Sequence, residues 1–245
     1  MRVGLFVPCY IDQFYPQVAV ATLQILEKLG CEVVFPLNQT CCGQPMANSG
    51  FASLSKGCDA NFVKNFTDVD YIVSSSGSCV LHIKEHLHDK NKQQASFIRS
   101  HIYELTEFLT DILKVKNIEA SFPHKVGLHI SCHGQRGLHV SSMTELVAPS
   151  FSKPEQLLSM VKGLQLTLPV RPDECCGFGG TFCVFEEAVS VKMGKDRITE
   201  HNANEVEYIT GIDTSCLMHL EGILKRQGSN VKTIHIAEIL NSQLA

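Results

Sequence analysis

One cysteine pattern is written twice in this chain, and the repetition restricts its fold more than any other feature. Residues 2–9 align without gaps on residues 125–132, the two stretches ending in Cys9 and Cys132. Thr40-Cys41-Cys42-Gly43 matches Glu174-Cys175-Cys176-Gly177, and residues 69–82 match residues 206–219 through Cys79 and Cys216. The intervening loops differ in length: 31 residues separate Cys9 from Cys41 but 42 separate Cys132 from Cys175, and the next gaps are 36 and 39 residues. Surface loops tolerate insertions of this kind. Eight of the 11 cysteines therefore occupy equivalent positions. Cys31, Cys58 and Cys183 have no counterpart and read as small buried hydrophobes.

Hydrophobic periodicity shows how those positions can meet. Residues 3–7 are a short apolar run that reads as a strand. Pro16 suits the first turn of a helix in which Val18, Ile25 and Leu29 recur at helical spacing, and Gly30 can end it. Residues 32–35 and 71–73 read as further strands and 51–66 as a helix, with Cys79 opening the next one. The second copy repeats the order, with strands over 126–130, 166–170 and 206–210, helices after the first of them, and a helix over 186–202. The expected fold is α/β, built as two pseudo-symmetric Rossmann-like lobes, each a parallel sheet flanked by helices. The boundary is expected within 117–124, after a helical stretch over 102–113, giving domains of residues 1–120 and 121–245. Ligands of such sheets lie outside the carboxyl ends of the strands, and all eight repeated cysteines fall in loops or helix starts on that edge. Cys9, Cys41, Cys42 and Cys79 are predicted to converge as one site, and Cys132, Cys175, Cys176 and Cys216 as its twin.

Composition narrows what the thiols are for. With 21 basic against 25 acidic residues the net charge is −4, which excludes a generally basic nucleic-acid surface. No apolar run approaches the ~18 residues of a membrane span. The apolar part of the N-terminus is too short for a signal peptide, so the expected location is the cytoplasm. Thiols there stay reduced, and clustered cysteines bind metal or do redox work more often than they form disulfides. Four thiolates suit either zinc or an iron–sulfur cluster. Zinc sites favour Cys-x₂₋₄-Cys spacing, whereas this chain has adjacent pairs and no Cys-x-x-Cys. Adjacent thiolates fit a bulkier cluster with separate attachment points, and Gly43 and Gly177 let the backbone turn close against it. A zinc- or thiol-stabilised binding module and a thiol/disulfide oxidoreductase are the alternatives.

These residues resemble the CCG cysteine-rich domain family, found in the cysteine-rich subunit of heterodisulfide reductase and in the iron–sulfur subunits of glycolate oxidase and anaerobic glycerol-3-phosphate dehydrogenase. The match runs through Phe6-Val7-Pro8-Cys9, Cys41-Cys42-Gly43-Gln44-Pro45, Ser131-Cys132-His133, Cys175-Cys176-Gly177-Phe178-Gly179-Gly180 and Asp213-Thr214-Ser215-Cys216. Over nearly the whole chain it is similar to the lactate-utilisation branch, free-standing pairs of such domains. That resemblance implies an electron-transfer subunit in a three-protein system oxidising L-lactate to pyruvate, with companion subunits that include a ferredoxin-type iron–sulfur protein. The heterodisulfide reductase pattern ends in Cys-x-x-Cys and supplies five ligands to a non-cubane cluster. Here Ser76 and Asp213 stand three residues before Cys79 and Cys216, leaving four cysteines per half. Four suit a cubane [4Fe–4S] cluster, at most one per repeat. His82 and His219, each three residues beyond its cysteine, and His129 and His133, flanking Cys132, are candidates to stand beside the clusters. Phe6 and Tyr10 take the places of His129 and His133 in the first half, so the two sites should differ. Arg136 is a candidate for binding a carboxylate substrate.

Overall fold

Both copies of the motif begin with a four-residue strand in which every residue after the first is buried: β1 (Arg2–Leu5) and β5 (Lys125–Leu128). Such continuous burial marks the centre of a parallel sheet covered on both faces. The computed structural model describes residues 1–243 and holds two four-stranded sheets. In the first, β2 (Glu32–Val34), β1, β3 (Tyr71–Ser74) and β4 (Ile102–Glu104) lie in that order; in the second, β6 (Gln165–Thr167), β5, β7 (Tyr208–Gly211) and β8 (Lys232–His235) do. All pairings are parallel, and the registers agree with the repeat: Gly4 pairs with Ile72 as Gly127 pairs with Ile209. The two lobes are similar α/β units.

Helices α1 (Cys9–Phe14), α2 (Pro16–Lys28), α3 (Gln44–Asn48), α4 (Lys56–Asn65), α5 (Gly77–His86), α6 (Lys92–His101) and α7 (Leu105–Glu107) belong to the first lobe. The second holds α8 (Lys153–Leu158), α9 (Phe182–Phe185), α10 (Glu187–Ala203), α11 (Thr214–Arg226) and α12 (Ile236–Leu240). Pro16 opens α2 with Val18 and Ile25 buried, and Gly30 follows its end at a φ of +80°; Leu29 falls just outside and stays exposed. Of the helix expected over 102–113, residues 105–112 are helical, as α7 and a wider turn that continues it, while residues 102–104 form the edge strand β4. Ile102 pairs with Ile72, and a reciprocal cap between Glu104 and Glu107 starts α7 only at Leu105. After β5 the expected helices shrink to a wide turn (His133–Gly137) and α8.

The lobes share one apolar cluster running from Val3 and Leu5 through Val126 and Leu128 to Ile239 and Leu240, and α12 of the second lobe packs on α2 of the first. A smaller cluster surrounds Cys176 and Cys216. Among the described residues no helix is long and apolar enough to cross a membrane.

Glu104 generates a pH test of this core. It is fully buried and accepts from the Thr106 amide at 2.7 Å and from the Thr106 hydroxyl. Burial lifts its pKa from 4.5 to about 8 despite those bonds. A folded-state pKa raised this way gives stability that is complete below the unfolded value and is lost as pH rises through the folded one. The melting temperature should therefore fall by a few degrees between pH 5 and 8. Glu104→Gln should flatten that slope; parallel curves for parent and variant would assign the titration to another group.

Candidate metal centre

The carboxyl ends of the central strands place the cysteines. Cys9 follows β1 as the first residue of α1, Cys41 and Cys42 lie in the loop after β2, and Cys79 sits in the first turn of α5 after β3. Cys132, the pair Cys175 and Cys176, and Cys216 hold the corresponding places after β5, β6 and β7. The strand order switches sides between β1 and β3 and between β5 and β7, the switch points at which such sheets open a crevice. The structure brings each quartet together. Cys9 Sγ lies 3.6 Å from Cys41 Sγ, and Cys42 reaches both Cys41 and Cys79. In the second lobe Cys132 reaches Cys175, and Cys176 reaches both Cys175 and Cys216. All eight thiols line one cavity of about 360 Å³ between the lobes, so the two quartets face a common space.

Gly43 and Gly177 adopt φ of +91° and +92°, a conformation costly for any other residue. A Cβ on Gly43 would also lie 2.8 Å from Ser55 Cβ, and one on Gly177 would lie 2.5 Å from the Ser190 carbonyl. The turns aim peptide N–H groups at sulfur: Gly43 donates to Cys41 Sγ at 3.4 Å, Gly177 to Cys175 Sγ at 3.3 Å and Phe178 to Cys176 Sγ at 3.4 Å. Hydrogen bonds from Cys42 and Cys9 push the Cys41 thiol down to about 2, and those from Cys132 and Cys176 do the same for Cys175. Their donors go the other way. Cys9 and Cys42 are raised by donating to Cys41, by burial and by neighbouring negative charge. One thiolate thus holds its neighbours protonated, and a soft cation would take those protons' place. Four convergent, buried or half-buried sulfurs with N–H donors on them fit a soft metal group in each lobe, of which an iron–sulfur cluster is one kind.

The remaining candidates separate by surroundings. His129 is buried, and a ring nitrogen lies within 4.8 Å of Cys176 and Cys216 Sγ. His133 lines the cavity, its Nδ1 3.8 Å from Cys132 Sγ and its Nε2 accepting from Gln44 Nε2 of the other lobe at 3.5 Å. His82 is buried 5.1 Å from the His86 ring, and burial, then His86, pushes its pKa to about 4. His219 is engaged by Ser190, its Nε2 lying 3.3 Å from the carbonyl and 3.5 Å from the hydroxyl. Arg136 pairs with Glu145 at 2.8 Å on the surface and does not line the cavity. Cys31 is buried just before β2, at the far end of the strand from Cys41. Cys183, expected to be a packing residue, lines the cavity and donates to the Gly180 carbonyl at 3.1 Å. Its lack of a repeat partner hid it from the sequence.

Asp213, at the place of the missing fifth cysteine, ties the lobes together. Buried to 1% exposure, it accepts from Ser76 Oγ at 3.2 Å, from the Ser78 amide at 3.0 Å and hydroxyl at 2.9 Å, and from Ser131 Oγ. Ser76, the counterpart of Asp213 in the first half, is one of its donors.

Comparison with known proteins agrees with this geometry. The family model for the cysteine-rich CCG domain matches residues 3–84 and 126–221. Lactate utilization protein A of Geobacillus kaustophilus (strain HTA426) is 40% identical over 248 residues, covering 99% of this chain and 100% of that protein. The protein of that name from Bacillus subtilis (strain 168) shows the same identity and coverage. A crystal structure of a hypothetical protein from Helicobacter pylori superposes with a TM-score of 0.60 over 98% of this chain and 48% of that one. At 14% identity this is a likeness of fold alone.

Removing the Asp213 carboxylate should strand three buried hydroxyls and an amide. Asp213→Ala is expected to cost about 3 kcal/mol in chemical denaturation, and Asp213→Asn, which keeps a carbonyl acceptor, less. Equal stability of Asp213→Ala and the parent would mean that the clamp contributes nothing.

Proposed function

This chain belongs to the cysteine-rich CCG domain family, alongside the lactate utilization A proteins, and we propose on that premise that it serves lactate utilization as an iron–sulfur electron carrier. The observation that carries the reading is the convergence of two cysteine quartets on one inter-lobe cavity. Residues 1–120 and 121–245 are read as the two units, each contributing one quartet. Bound there, a [4Fe–4S] cluster, at most one per quartet, would supply one-electron transfer. The chain's own part is to hold it: Cys9, Cys41, Cys42 and Cys79 in the first lobe and Cys132, Cys175, Cys176 and Cys216 in the second provide the thiolates. The amides of Gly43, Gly177 and Phe178 steady the sulfurs, and the Tyr10 and Phe178 rings, 6.0 Å apart across the lobe boundary, help keep water out.

Oxidation of L-lactate to pyruvate releases two electrons and two protons. Among the described residues no lysine or arginine lines the cavity, so a lactate carboxylate has no fixed cation to pair with there. We therefore place the oxidation in a companion subunit and this chain on the electron path, next to a ferredoxin-type iron–sulfur protein in the cytoplasm. Mixed with L-lactate and an artificial acceptor, the chain alone should be nearly inactive and should turn over only with its companions. Strong turnover by itself would put the dehydrogenase chemistry here.

Iron and acid-labile sulfide on anaerobically purified protein test the cofactor. Cys42→Ser and Cys176→Ser should each deplete the iron of their own lobe, because a hydroxyl holds iron poorly. Cys31→Ala, at the far end of β2, should cost on the order of 1 kcal/mol and keep the parent's iron. Zinc without sulfide would favour a metal-stapled scaffold, and equal iron in all four proteins would end the eight-cysteine assignment.

A further inference from the structure

The two lobes differ in the side chains behind their quartets. In the first, Phe6 packs edge-on against Phe62 at 4.8 Å and Phe66 at 6.0 Å, all three buried. Phe66 covers Gly4, where a Cβ would lie 2.7 Å from its ring. In the second lobe His129 stands at the repeat position of Phe6, and His201 covers Gly127 as Phe66 covers Gly4. Arg197 precedes His201 by one helical turn, as Phe62 precedes Phe66. Three hydrocarbon rings are thus replaced by three nitrogen-bearing side chains, each at most 1% exposed. Arg197 is held by the Arg171 carbonyl at 2.6 Å, Glu174 at 3.2 Å and Glu200 at 3.4 Å.

His129 and His201 have no such partners: no ring nitrogen of either makes a hydrogen bond, although each residue is at most 1% exposed. A buried polar group left unmatched is destabilising, and phenylalanine at either place would avoid the cost. For His129, the sulfurs of Cys176 and Cys216 lie within 4.8 Å of a ring nitrogen and of one another. A neutral imidazole carries one lone pair and one N–H. The lone pair can ligate a metal, or the N–H can bond to sulfur.

We propose that His129 touches the group held by Cys176 and Cys216 through a ring nitrogen, making the second lobe's centre easier to reduce than the first. The inference rests on the iron–sulfur reading above. With all four thiolates kept, the ring acts through its N–H: a hydrogen bond to sulfur stabilises the added electron and raises the potential. Phe6 has no such donor. Electrons entering the chain should then settle on the second lobe.

The test uses the full chain, reconstituted anaerobically and titrated under EPR, with iron and sulfide counted. The parent should show two unequal midpoint potentials, and Cys176→Ser should remove the higher one. His129→Phe should bring the higher potential down towards the lower, or strip iron from the second lobe alone, and His129→Asn, which keeps an N–H donor, should fall between. Equal potentials in the parent, or unchanged iron and potentials in both His129 variants, would overturn the proposal. A parent without iron would overturn the cluster reading instead. In that case Co²⁺ bound to the reduced apo chain tests His129 directly: its visible ligand-field bands should shift in His129→Phe, and identical bands in parent and variant would again overturn it.

Discussion

Four thiols packed side by side cannot all ionise, because each thiolate opposes the next and burial opposes them all. That constraint organises the molecule. Cys41 and Cys175 carry the charge by accepting hydrogen bonds from their neighbours, and the neighbours stay protonated for the same reason. Peptide N–H groups from the turns at Gly43 and Gly177 add donors to sulfur, which only a left-handed backbone can supply there. A soft cationic group resolves the conflict by taking the protons' place. The short parallel strands, the glycine turns and the first turns of α5 and α11 all serve to hold sulfur atoms where such a group would sit.

The lobes are not independent beads. Their apolar cluster is continuous, and α12 returns from the second lobe to pack on α2 of the first. Polar clamping adds to this at the mouth of the cavity, where Asp213 gathers donors from both halves. The positions that supply a fifth thiol in the non-cubane pattern here join the lobes to each other.

Pseudo-symmetry is strict in the strand registers and loose in the helices, loops and side chains. Strand registers agree position by position, while the layer behind the quartets changes from phenylalanines to histidine and arginine. A duplicated scaffold thus gives its two quartets unlike surroundings.

The sequence by itself determined the repeat, the parallel α/β lobes and the eight equivalent cysteines, since each rests on local pattern: a run of apolar residues, a glycine after a cysteine pair, helical spacing after Pro16. It did not reveal β4 or β8, three- and four-residue edge strands whose identity comes from pairing with β3 and β7. Nor did it show that Cys183 faces the cavity or that Arg136 is occupied by Glu145, because neither contact has a sequence period. Two quartets could be named from the chain alone, but their opening onto one shared space is a matter of how the lobes pack. Likewise His129 was legible as a neighbour of Cys132. Only the tertiary structure decided that its ring points instead towards Cys176 and Cys216, residues brought to it by β6 and β7, because burial and orientation are set by strands far apart in the chain.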